Sequence, residues 1–120
     1  MHLFVYGTLK RGFKNYNFLK NAKFVDEAIT LKKFIMLSFG SYPAIIEKED
    51  SEFSSYVFGE VFEINKEILE KIDILEEVPN FYIRKQEKIK LLNFNKVISA
   101  WVYILNSKIV YPQNNLLIWK

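Results

Sequence analysis

The stretch Leu3-Phe4-Val5-Tyr6-Gly7-Thr8-Leu9-Lys10-Arg11-Gly12 constrains the chain most, because its physical character changes within a few residues. Leu3 to Tyr6 is a run of apolar, β-branched and aromatic residues and reads as a buried strand. Gly7 stops that run, and Gly12 closes the polar segment after it. A short strand therefore feeds a special loop. Glycine lets a backbone turn sharply or approach a ligand closely, and successive free N–H groups in such a turn attract anions. Two readings stand side by side: a tight turn between two elements, or a cradle for a carboxylate.

A chain of 120 residues has the usual size of one domain, and half of it is hydrophobic. That is enough to bury a core without metal or disulfide help. With no cysteine there is no disulfide framework, no thiol nucleophile and no thiolate metal site, and the single histidine, His2, lies near the N-terminus. No metal or other cofactor is expected. No apolar segment approaches a membrane span and no signal pattern opens the chain, so the expected location is the cytoplasm, with no membrane partner. Lys32, Lys33, Lys48, Lys85, Lys88 and Lys90 are interleaved with Glu47, Glu49, Asp50 and Glu87 rather than gathered on one face. That pattern reads as a solvated surface and argues against a nucleic-acid partner.

Along the chain, Asn15 to Asn21 can make a short helix over the loop. Residues 22–31 and 34–39 read as two strands joined by a turn at Lys32-Lys33. Tyr42 to Glu47 is a further strand in which Pro43, lacking an N–H, belongs at an edge or a strand start. Residues 48–54 form a loop. Gly59, inside the alternating run from Tyr56 to Ile64, suggests a bulge or a close backbone approach. Asn65 is a candidate N-cap with Glu67 in the first helical turn. Residues 81–91 and 96–104 flank Asn93-Phe94-Asn95 as a final hairpin, with Ile83, Ile89, Ile98 and Val102 as inward candidates. The tail, residues 106–120, is too apolar to be free in water and is expected to pack on the rest of the domain or on a second subunit of a homodimer. These patterns alone give a strand-rich single domain with one or two helices.

The helix beginning at Lys66 and running toward Glu77 places Ile68, Leu69, Ile72, Leu75 and Glu76 on one arc of roughly 120°. Glu76 is the only charged residue in that stripe; Glu67, Glu70, Asp73 and Glu77 project outside it. An inward carboxylate is pushed toward its neutral form by desolvation and by the negative end of the helix, so it can both take and give a proton. The alternative is that Glu76 sits at a frayed last turn and bends outward. Ser38, Ser41 and Thr8 supply hydroxyls, but no paired histidine makes them a nucleophilic triad.

The wording of residues 4–12, with Asn15 after it, resembles the opening of the γ-glutamylcyclotransferase-like proteins, most closely the γ-glutamylamine cyclotransferase branch. Tyr42-Pro43-Ala44-Ile45-Ile46 is similar to the family's Tyr-Pro strand. Gly59-Glu60-Val61-Phe62, then Ile72 to Glu76 with Pro79, Tyr82 and Arg84, is similar to its acidic segment. Two positions depart: many relatives follow the glutamate with Gly and carry His after the Asn, where this chain has Glu77 and Tyr16. The resemblance implies an α+β fold, a small mixed β-barrel-like sheet with one principal helix and a short helix. It also implies a substrate loop at Tyr6, Gly7, Thr8 and Leu9, with Glu76 as catalytic acid/base. Tyr82 and Arg84 then line the pocket or pair with Glu76 or Glu60, or one of the two is merely structural, and Tyr42 with Pro43 makes a wall of the site or protects a sheet edge. The implied reaction is cyclisation of a γ-glutamyl amine to 5-oxoproline with release of an amine. The rival expectation is a non-catalytic protein that binds a small metabolite on the same fold.

Overall fold

The computed structural model describes residues 1–48 and 51–108. Its elements are strands β1 (His2–Val5), β2 (Lys23–Ser38), β3 (Pro43–Ile46), β4 (Ser55–Glu63), β5 (Tyr82–Leu91) and β6 (Lys96–Leu105), and helix α1 (Lys66–Leu75). A single 3-10 turn, Tyr16–Leu19, stands where the short helix was expected. The strand order is β3-β2-β4-β1-β6-β5, and β2 also pairs with β5, which closes five strands into a barrel with β3 as an appended edge. β1 runs parallel to β6 and antiparallel to β4. The small mixed barrel with one principal helix agrees with the expected α+β class.

The alternation of side chains along each strand divides the apolar residues between two cores. Phe4, Val57, Val61, Ile89, Ala100 and Val102 fill the barrel. Leu3, Val5, Phe62, Tyr103 and Leu105 face the other way, where Leu69 and Ile72 of α1 cover them. β1 is thus buried on both faces, which is why its sequence is a continuous apolar run instead of an alternating one. Ile89 and Val102 are fully buried in the barrel and Ile83 and Ile98 pack against it, as the hairpin reading expected. Gly59 is a close approach: a Cβ there would lie 2.3 Å from the carbonyl oxygen of Val5 and 2.7 Å from the ring of Phe4.

The turn expected at Lys32-Lys33 is absent, and β2 is one strand of 16 residues. Residues 23–34 pair with β4, residues 28–30 also with β5 (Ala28 with Leu91), and residues 35–38 with β3 (Leu37 with Ala44). The ladder to β4 slips between Ile29 and Lys33. There the buried Thr30 hydroxyl donates to the carbonyl of Lys32 at 2.7 Å and accepts from the amide of Val57 at 3.0 Å. A side chain thus replaces the missing ladder bond, and the strand continues with a bulge. Lys32 spans the change of partner through Glu47 at 3.1 Å and Glu87 at 3.9 Å.

Of the expected tail, residues 109–120 lie outside the described residues. Asn106 is tied down, with its amide donating to the carbonyl of Phe81 at 2.8 Å and its Nδ2 to that of Pro79 at 2.6 Å. No helix among the described residues is long and apolar enough to cross a membrane.

Candidate active site

The end of β1 and the end of α1 meet at a cavity of about 230 Å³. Val5, Tyr6, Gly7, Thr8 and Leu9 form one side, with Lys14 and Asn15 from the same loop. Tyr42 and Pro43 enter from the start of β3, Leu75, Glu76 and Glu77 from the helix end, Phe81 and Tyr82 from the start of β5, and Tyr103 from β6. Eight of the nine residues singled out from the sequence therefore share one cavity. Arg84 does not line it. Tyr82 and Arg84 point to the same side of β5, but Arg84 lies one pleat, about 6–7 Å, further along the strand. There its Nε meets Asp73 Oδ1 at 2.7 Å and its guanidinium stacks 4.4 Å from the ring centroid of Trp101. Nor does it reach Glu60, whose carboxylate takes the backbone N–H of Arg11 at 2.9 Å and its Nε at 3.2 Å. Tyr16, the departure after Asn15, packs on Phe62 with ring centroids 6.2 Å apart and is not a lining residue.

The loop is held open by its own cross-links. Asn15 donates from its backbone to the carbonyl of Thr8 and from Nδ2 to Thr8 Oγ1, both at 2.9 Å, while Lys10 N–H closes on the carbonyl of Gly7 at 3.1 Å. Among the described residues no acceptor takes the backbone N–H groups of Gly7, Thr8 and Leu9. Three successive residues with unpaired amides therefore line the cavity, an arrangement that suits an anion. The glycine at position 7 is required by approach: a Cβ would lie 2.8 Å from Cγ of Pro43.

Glu76 is carried in by the helix end. Asn65 caps the start, its Oδ1 accepting from the amide of Ile68 at 2.8 Å. At the other end Glu77 N–H donates to the carbonyl of Ile74 and Val78 N–H to that of Asp73, a Schellman closure. That closure puts Glu77 at φ +53°, the left-handed position that glycine usually fills. The helix ends at Leu75, two residues before Glu77, and Glu76 is its C-cap. The side chain stays in the apolar stripe, half-buried. It forms no ion pair among the described residues.

Burial raises the Glu76 carboxyl to a pKa of about 7. Burial, reinforced by the charge of Glu76, pushes the phenols of Tyr6 and Tyr82 upward; Tyr103 is raised by burial, then by Asp73 and Glu76. The three phenols therefore stay protonated and act as donors: Tyr6 to the carbonyl of Tyr103, Tyr82 to that of Pro43 and Tyr103 to Asp73 Oδ1, each at 2.7 Å. Glu76 is the lining group brought to a pKa where it can exchange a proton near neutrality. Among the described residues no three His, Cys, Asp or Glu side chains gather as metal ligands.

Sequence reading missed Lys14, Glu77, Phe81 and Tyr103 as lining residues. Glu77 and Phe81 flank motif residues, and that adjacency was the available signal. Tyr103 reaches the site only through the β5–β6 register, which sets it opposite Arg84.

A family model described as gamma-glutamyl cyclotransferase, AIG2-like, matches residues 3–118. A Methanocaldococcus jannaschii protein provisionally named a gamma-glutamylcyclotransferase is 39% identical over 114 residues, 94% of this chain and 86% of that one. Gamma-glutamylaminecyclotransferase A of Danio rerio is 31% identical over 102 residues, 79% of this chain and 62% of its own length. The crystal structure of an AIG2-like protein from Mus musculus superposes with a TM-score of 0.82, covering 98% of this chain and 84% of that one; at 23% identity that likeness is one of fold. The chain belongs to the gamma-glutamyl cyclotransferase, AIG2-like family.

Proposed function

We propose that this protein is a γ-glutamyl cyclotransferase that releases 5-oxoproline and a free amine, with Glu76 moving the protons. The family and the names of the relatives support an enzyme of this class. In a γ-glutamyl amide the substrate's own α-nitrogen attacks its own γ-carbonyl, so the protein supplies no nucleophile and must fold, deprotonate and reprotonate the substrate.

The Glu76 carboxylate takes a proton from the α-ammonium. The freed nitrogen lone pair bonds to the carbon of the γ-carbonyl, closing a five-membered ring and leaving charge on the carbonyl oxygen. The amides of Gly7, Thr8 and Leu9 hold either that oxyanion or the substrate α-carboxylate. The bond from that carbonyl carbon to the amide nitrogen then breaks as Glu76 returns its proton to that nitrogen. The α-ammonium gives up two protons on becoming the lactam N–H; the second ends on the released amine, which leaves as an ammonium ion. Tyr6, Tyr42, Pro43 and Tyr82 wall the ring that forms.

The observation that carries this reading is one half-buried carboxyl, drawn to about pH 7, sharing a cavity with three unpaired backbone donors. The test is 5-oxoproline release from a panel of γ-glutamyl amides. The Glu76→Gln variant is expected to lose about 10²–10⁴ in kcat while remaining folded. Undiminished release by that variant removes Glu76 from the mechanism. Binding without turnover by the native protein establishes the non-catalytic alternative.

A further inference from the structure

The cavity wall is electrically divided. The loop side carries Lys14 and the three free amides, all of which favour an anion, whereas the helix end carries Glu76 and Glu77. Of the two anions named above, the α-carboxylate is charged throughout the reaction, and it is the one that suits Lys14 together with the loop amides. The leaving nitrogen belongs with Glu76, which must protonate it. Glu77, the next residue in the chain, lines the same cavity at that end.

Glu77 is exposed, contributes to the cavity wall and makes no ion pair among the described residues. Phe81, whose amide donates to the Glu77 carbonyl at 2.8 Å, lines the same cavity with Tyr42, the two rings edge to face with centroids 6.0 Å apart, and ring faces attract cations as a carboxylate does. We propose, resting on the cyclotransferase reading above, that the site selects γ-glutamyl amides whose leaving amine bears a second positive charge, a diamine or polyamine, recognised by Glu77 with Tyr42 and Phe81.

The test compares the mono-γ-glutamyl amides of putrescine and of n-butylamine, which match in carbon chain and differ by one terminal ammonium. The quantity read is the ratio of kcat/KM for the first over the second. In Glu77→Gln that ratio is expected to fall about two- to fivefold, the scale of an exposed charge pair, and in the native protein it should shrink with added salt. Glu77→Gly should lower the ratio equally while raising Tm, because glycine relieves the left-handed backbone. An unchanged ratio in both variants overturns the proposal. Binding of the same two amides to Glu76→Gln and to Glu76→Gln/Glu77→Gln, by calorimetry, reads the same preference without turnover. Failure of the cyclotransferase reading, binding with no 5-oxoproline, is then distinct from failure of the charge preference. Binding of neither amide overturns both.

Discussion

A half-buried carboxyl stabilises the folded state when it is neutral and burdens it when charged, and Glu76 changes between these forms near pH 7. Its folded pKa lies above the ordinary glutamate value, so the folded protein binds the proton more tightly than the unfolded chain. The penalty is absent below about pH 4 and grows as pH rises through 7. Glu76→Gln should therefore raise stability by about 1–2 kcal/mol at pH 8, allowing for partial exposure, with the gain shrinking toward pH 5; Tm across that range checks it. The same titration fixes the sign for turnover. Glu76 must start as the carboxylate, so kcat/KM should fall on the acid side of an apparent pKa near 7. Asp26 has the opposite setting: its burial raises the pKa, but bonds from Asn93 and from the amides of Asn93 and Phe94 outweigh that and lower it, holding the charged form as the cap of the β5–β6 turn.

Among the elements, the helix end is fastened to the barrel at Asp73, whose Oδ1 receives both Arg84 Nε and the Tyr103 hydroxyl. Asp73 lies about one turn before Glu76, so this knot sets where the acid stands relative to the loop. Arg84→Met should cost about 1 kcal/mol of stability, since the pair is partly screened, and should lower kcat more than it changes KM; Arg84→Lys should restore part of the loss. Steady-state kinetics on the two variants distinguish positioning from substrate binding, where KM would carry the effect. The antiparallel pairing of β4 with β1 depends on Gly59 in a stricter way. Gly59→Ala drives a methyl into the Val5 carbonyl and the Phe4 ring and should destabilise by about 2–4 kcal/mol in chemical denaturation.

For the whole molecule, β2 closes the barrel against β5, and β1, from the start of the chain, lies between β4 and β6. Ends far apart in sequence thus share one ladder. If residues 1–120 are one folding unit, far-UV circular dichroism and intrinsic fluorescence should report a single coincident unfolding transition in urea; separated midpoints would divide the chain.

The sequence by itself determined the elements whose causes are local. β1 was legible from its unbroken apolar run, α1 from its stripe and the Asn65 cap, the final hairpin from alternation around Asn93-Phe94-Asn95, and Glu76 as the odd charge in an apolar arc. Tertiary structure alone decided that residues 23–38 are one strand, because the continuity past Lys32-Lys33 depends on Thr30 reaching across to Val57, 27 positions away. It also decided that Arg84 serves Asp73 and not the cavity, and that Tyr103 and Phe81 wall it. A side chain's partner across a barrel follows from strand register and closure, which depend on the packing of the entire chain, whereas helix stripes and caps follow from residues three or four apart.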